Sequence, residues 1–221
     1  MKEIVIIGAG NFGREVAWLI EDINKSRPSY IVLGYLDDTP EKQGETINGY
    51  KVLGPVAVLP ELVKNHNACA VIAIQNSEAR ERICGNLSHF NNWETLIHPS
   101  VNRSDTSKIG QGSIICAGVN ISVNTIIGNQ CIVNIGSVIE NDCTIENYVS
   151  IMCKSVVGSN SHLMNHAYIG SNSSVVNGKK VGINAQVGPG SVVIGDIPDN
   201  TTVIGVPAKR GLFDNGKYSY L

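Results

Sequence analysis

The chain is poor in aromatic residues, with two Trp, seven Tyr and three Phe among 221 residues, so its core is not built around large rings. It is also poor in charge. Asp, Glu, Lys and Arg make up 16% of it and the net charge is −2, which gives no signal for nucleic acid or an anionic membrane surface. No apolar run approaches the length of a membrane span. The six cysteines show no CxxC pairing and no regular framework, so reduced thiols in a cytoplasmic protein are the simplest reading. Residues 1–10 are mostly apolar, but Asn11, Arg14 and Glu15 follow at once, so no signal peptide is expected.

What the chain does have is a period. From Ile109 to Val193 every sixth residue is Ile, Val or Leu, through fifteen positions without an insertion or deletion. Four residues after each, the side chain is usually small, as at Ser113, Thr125, Cys131, Ser137, Cys143, Ser155 and Ala167; Lys179 and Ile197 break that rule. A repeat of six fits neither a helix nor a sandwich strand, and it predicts a parallel β-helix. Three hexapeptides close one triangular coil, and fifteen give five coils. Large aliphatics point inward, and each contributes about 1.5–3 kcal/mol on burial. Cys131 and Cys143 fall in the small inward slot and read as packing residues.

The first hundred residues alternate strand and helix, which predicts a small α/β Rossmann-like domain. Residues 4–7 form an apolar strand that runs into Gly8-Ala9-Gly10-Asn11-Phe12-Gly13, a GxGxxG, and a helix with Val16, Ala17, Leu19, Ile20 and Ile23 on one face. A strand over residues 30–36 ends at Asp37-Asp38. Residues 59–65 read as a short helix, 68–74 as an apolar strand, 93–97 as a last short strand, and Ser77 as the cap of a helix through Ala79, Ile83 and Leu87. The glycines allow close approach of a phosphate to a helix N-terminus, and an acid ending the second strand can bond a ribose hydroxyl. The blander alternative is a tight strand–helix turn followed by a solvated loop.

The two halves together resemble the sugar O-acyltransferase family named for sialic acid O-acetyltransferase, and its nucleotide-amino-sugar N-acetyltransferase relatives. The resemblance is carried by Ile4-Val5-Ile6-Ile7-Gly8-Ala9-Gly10, Gly34-Tyr35-Leu36-Asp37-Asp38, Ala73-Ile74-Gln75-Asn76, Ile97-His98-Pro99-Ser100, the unbroken hexapeptides, Gly188-Pro189-Gly190, Ile197-Pro198-Asp199-Asn200 and Gly205-Val206-Pro207-Ala208-Lys209. It implies a nucleotide-sugar-binding domain over 1–98, a left-handed β-helix over 99–210, a tail over 211–221, a homotrimer, and acetyl-CoA as donor with no metal. The sugar nucleotide would meet Gly10, Asn11, Phe12, Asp37, Asp38 and Gln75. Acetyl-CoA would lie between neighbouring β-helices and meet Ser150, Ser159 and Ser171.

Acyl transfer from a thioester usually needs a base near the nucleophile and a donor for the oxyanion. The family's base is commonly a His in a Glu-His-Asp string, and here that string reads Glu140-Asn141-Asp142. Asn141 cannot accept a proton at neutral pH; it can orient a nucleophile or donate through its amide. Ser150 and Phe12 stand where other family histidines are found. The expected catalytic set is Asn141, Asp142 and His166. His66 and His89 read as solvated and His98 as a linker contact, which leaves His162 and His166 as the histidines on the repeats. Asn141 and His162 share a face, one coil apart and roughly 10–12 Å from each other. A His162–His166 metal pair would straddle a corner without a clear third ligand. The favoured function is acetylation of a nucleotide-linked amino sugar for a bacterial surface glycan. The alternatives are a trimeric binding protein that has lost its base, an NAD-linked activity of the glycine loop, and a metal hydratase.

Overall fold

The computed structural model describes residues 1–214 and 217–220, with the side chains of residue 65 and of residues 212–220 left aside. The chain divides into two compact units, Met1–Pro99 and Ser100–Leu221.

In the first unit, β1 (Lys2–Ile7) is the inner strand of a five-stranded sheet. It pairs in parallel with β2 (Tyr30–Leu36) on one side and, on the other, with the strand at Cys69–Ile72, while β3 (Thr46–Ile47) and β4 (Tyr50–Gly54) extend the sheet beyond β2. Naming the Cys69–Ile72 strand β5, the order is β3-β4-β2-β1-β5. Ile4, Val5, Ile6 and Ile7 are all fully buried, as a parallel strand covered on both faces must be. Helix α1 (Asn11–Ser26) turns Phe12, Val16, Ala17, Leu19 and Ile20 inward. Helices α2 (Leu59–His66) and α3 (Ser77–Asn86) complete the unit. The cap of α3 is Asn76, whose side chain accepts from the Ala79 N–H at 2.7 Å; Ser77, the expected cap, is the first helical residue. The β3–β4 hairpin was not anticipated. Its turn is Asn48-Gly49, both with positive φ, as a two-residue hairpin loop requires.

The second unit is a three-faced stack of two-residue strands, each paired in parallel with the strand eighteen residues on, as Thr144↔His162 shows. The first face runs through residues 102, 120, 138, 156, 174 and 192, the second through 108, 126, 144, 162 and 180, and the third through 114, 132, 150, 168 and 186. The inward aliphatics from Ile115 to Val193 are buried; Ile109, at the open start, is half-buried. The stack exceeds the aliphatic period at both ends: Asn102–Arg103 pairs with Asn120–Ile121, and Thr202–Ile204 pairs with Gln186–Val187. The segment Lys209–Asp214 then pairs antiparallel with Thr202–Ile204 and with Lys217–Tyr220, so part of the tail is strand; Leu221 lies outside the described residues.

The small inward slot has a chemical reason beyond size. Ser113, Thr125, Ser137, Ser155 and Ser173 each donate their hydroxyl to a carbonyl fifteen residues on, at 2.8–2.9 Å. Buried hydroxyls are thereby satisfied, which a dry core demands. At the corner between the second and third faces, Asn129, Asn147 and Asn165 each accept a backbone N–H from the coil below through Oδ1, at 2.8–3.0 Å.

Candidate active site

Two places gather polar groups, one in each unit. In the first unit a cleft of about 1090 Å³ opens at the carboxyl ends of β1, β2 and β5, where loops of an open α/β sheet converge. Gly10, Asn11, Phe12, Asp37, Asp38 and Gln75, the residues expected to meet a sugar nucleotide, all line it. Phe12 is 5% exposed, so it walls the cleft rather than offering a polar contact. The turn above β1 is built tightly. Gly8 has φ +103°, and a Cβ there would meet the Ala73 carbonyl oxygen at 2.9 Å, while a Cβ at Gly13 would collide with the Gly8 carbonyl. Glycine is required at both.

Asp37 ties this turn to β2. Its Oδ2 accepts the Ala9 N–H at 2.8 Å and meets Lys42 Nζ at 3.0 Å, and its Oδ1 accepts the Thr39 N–H at 3.0 Å. Burial pushes the carboxyl up, but hydrogen bonds from Thr39, Ala9 and Lys42 outweigh it and hold the group at about 2. Asp37 is thus committed to bracing the glycine loop. Asp38 accepts the Val56 N–H through Oδ1 at 2.8 Å. Arg80, 1% exposed, clamps the facing loop by donating to the Ile74 and Gln75 carbonyls at 2.9 and 2.7 Å. Sequence reading did not anticipate Lys42 and Arg82 on the cleft wall. One comes from a single 3₁₀ turn and the other from an exposed helix position, and neither has a motif to mark it.

In the second unit the Glu140-Asn141-Asp142 string forms the corner between the first and second faces. Asp142 has φ +57°. Its carboxylate accepts Asn141 Nδ2 at 2.7 Å and Asn124 Nδ2 at 2.9 Å, and these two bonds hold its pKa below the usual carboxylate value. Ser159, one coil on, places its hydroxyl 2.8 Å from both Asn141 Oδ1 and Glu140 Oε2, and its N–H donates to Glu140 at 2.9 Å. The Asn141 amide is therefore oriented from both ends. On the adjoining second face His162 Nε2 lies 2.6 Å from Glu146 Oε1.

The remaining expected residues disperse over one copy. His166 is at the corner between the second and third faces, with φ +63°, its ring stacked on Tyr148 at 5.1 Å and 7° between planes. Ser150 is buried on the third face, and Ser171 is exposed at the corner between the third and first. A single chain therefore does not bring Ser150, Ser159 and Ser171 to one surface. Among the described residues no group of three or more His, Cys, Asp or Glu is placed to hold a metal, and no helix is long and apolar enough to cross a membrane. His66 meets Glu3 at 3.3 Å and His98 meets Asp22 at 3.4 Å, both within the first unit.

Comparison with known proteins agrees with this architecture. The PglD N-terminal domain family matches residues 3–87. GDP-perosamine N-acetyltransferase of Escherichia coli O157:H7 is 36% identical over 127 residues, 56% of this chain and 55% of that protein, so the match spans about half the length of this curated relative. GDP-perosamine N-acetyltransferase from Caulobacter crescentus, solved with CoA and GDP-perosamine as a histidine-to-alanine mutant, superposes with a TM-score of 0.87 at 26% identity over 97% of this chain and 98% of that one. The acetyltransferase domain of PglB from Neisseria gonorrhoeae FA1090 superposes with a TM-score of 0.85 at 26% identity, covering 95% of this chain and 100% of that domain. With a PglD-type α/β domain followed by a left-handed β-helix of hexapeptide repeats, the chain is similar over nearly its whole length to solved sugar N-acetyltransferases.

Proposed function

We propose that the chain transfers an acetyl group from acetyl-CoA to the amino group of a nucleotide-linked amino sugar, as a cytoplasmic homotrimer serving a bacterial surface glycan. The observation that supports this most is the full-length likeness to an enzyme solved with CoA and GDP-perosamine together. The cleft of the first unit has the size, the cations Lys42 and Arg82, and the glycine turn to suit a nucleotide diphosphate. Amino-group transfer fits a site without the family histidine better than hydroxyl transfer does, because a neutral amine attacks a thioester without prior deprotonation.

In the reaction the amine nitrogen bonds the thioester carbonyl carbon, the carbon–sulfur bond breaks, and the proton lost by nitrogen ends on the CoA thiolate. Asn141, fixed by Asp142 and Ser159, orients the acceptor, and backbone N–H groups polarise the carbonyl. A solved form of the Caulobacter enzyme with a histidine replaced by asparagine holds CoA and GDP-perosamine, so an asparagine in such an enzyme is compatible with binding both. The test is thiol release from acetyl-CoA in the presence of GDP-perosamine and other nucleotide-linked amino sugars, with mass spectrometry of the product. Calorimetric binding of both ligands with no acetylated product from any acceptor would identify a binding protein instead. Turnover unchanged in Asn141→Ala but abolished in His166→Ala would move the site to the next corner.

A further inference from the structure

We propose that His162, held by Glu146 on the second face of the β-helix, is the proton acceptor for this transfer. The inference rests on the transferase reading above and supplies what that reading lacks, a base. The other groups nearby do not provide one. Asn141 has no site that protonates at neutral pH. Asp142 is an exposed carboxylate made less basic by its two amide donors. Glu140 is occupied by the backbone and hydroxyl of Ser159. His166 lies flat against Tyr148, with its Nδ1 shielded from solvent.

His162 differs on each count. Its side chain is 40% exposed, and its Nε2 lies 2.6 Å from Glu146 Oε1. The other Glu146 oxygen accepts the Asn165 N–H at 3.0 Å, so the carboxylate is itself fixed by backbone. An imidazole bound this way carries its proton on Nε2, and Nδ1 is the basic nitrogen. Among the described residues nothing is bonded to that Nδ1. A carboxylate that fixes the tautomer and stabilises the imidazolium is the arrangement that makes histidine an effective general base. The titratable groups facing the ring are Glu146 and Lys180, the latter in register one coil on, with Thr144 in register one coil before.

His162 and Asn141 project from one side of the prism, their α-carbons roughly 10–12 Å apart by strand rise and coil spacing. An acceptor amine oriented by Asn141 lies between them, with one water completing the path. The amine forms its bond to the acyl carbon and the thioester carbon–sulfur bond breaks. The ammonium proton passes to Nδ1, and the imidazolium returns it to the CoA thiolate. No further reactant is consumed.

The experiment uses the full-length protein, acetyl-CoA and a panel of nucleotide-linked amino sugars headed by GDP-perosamine. His162→Gln is expected to lower kcat by about 10²-fold with little change in KM, and to change the pH–rate profile. Glu146→Gln, a positioning change, lowers kcat less. Free imidazole restores turnover to His162→Ala, which a purely structural role would not allow. Undiminished turnover and an unchanged pH profile in folded His162→Gln overturn His162 while leaving the transferase standing. No product from the wild-type protein with any acceptor overturns the transferase reading itself, and the proton acceptor with it.

Discussion

The surroundings of Asn141 would also suit a histidine. The Asp142 carboxylate that takes its Nδ2 at 2.7 Å would equally take an imidazole Nδ1–H, leaving Nε2 turned outward as a base. Asn141→His is therefore expected to raise kcat about tenfold or more and to restore turnover to His162→Gln, both read by thiol release. No gain in either background would mean that position 141 does not face the acceptor. Asp37 supports a second prediction. Its carboxyl is held at about 2 in the folded chain, below the ordinary value. Its stabilising effect is thus fully present above about pH 4 and is lost as pH falls towards 2, a difference of about 2 kcal/mol. Asp37→Asn, measured by urea unfolding at pH 7 and pH 3, should cost one to two kcal/mol, roughly, at the higher pH and about half as much at the lower. Because Asp37 holds the Ala9 N–H, the same change should also weaken nucleotide binding. An equal loss at both pH values would assign the effect to packing.

At the scale of elements, the corners of the β-helix show which parts of the fold the sequence disclosed. From Gly112 to Gly190 the second residue of each described turn with a positive φ falls on the same six-residue period, and most of those residues are Gly or Asn. That column could have been read beside the aliphatic one, since left-handed backbone costs other residues about 1–2 kcal/mol. Lys154 departs from it, with φ +57° and an exposed side chain. Lys154→Asn should accordingly raise stability by about 1 kcal/mol and the melting temperature by roughly 2–4 °C, with activity unchanged; a lower melting temperature would show that the lysine stem packs usefully on Gly136. The inward columns were legible because burial forces the same choice at every coil. The β3–β4 hairpin was missed although Asn48-Gly49 announces it, because its strands are short and carry little apolar alternation. Asn102–Arg103 was invisible for the opposite reason: an end coil has a neighbour on one side alone, so no aliphatic is enforced there. In the site, the cleft residues were legible through the glycine loop and strand ends. The Glu146–His162 pair was not, since its members are sixteen residues apart and meet only once coils are stacked.

At the scale of the molecule, the coils form a one-dimensional stack in which each layer buries its neighbours' inward side chains, so interior layers matter more than ends. The outward columns are chemically unlike one another. The second face presents Lys108, Ile126, Thr144, His162 and Lys180, mostly polar, whereas the first presents Asn102, Asn120, Val138, Val156, Ser174 and Val192, with Val176 and Ile194 exposed by 42% and 58% beside it. Exposed apolar surface of this kind marks a contact with another protein, and in the proposed trimer that partner is a second copy. Sharing the first face would also leave the second open at the groove between copies, where acetyl-CoA is expected. Val156→Glu then places a charge inside the copy–copy contact, whose desolvation costs several kcal/mol unless the charge is paired. Sedimentation velocity should show three times the chain mass for the wild-type protein and a single-chain mass for Val156→Glu at micromolar concentration. Far-ultraviolet circular dichroism should be unchanged, because residue 156 points away from the prism core, and acetyl transfer should be lost with assembly while nucleotide binding to the first unit survives. A Val156→Glu protein that still sediments as a trimer would place the contact on another face.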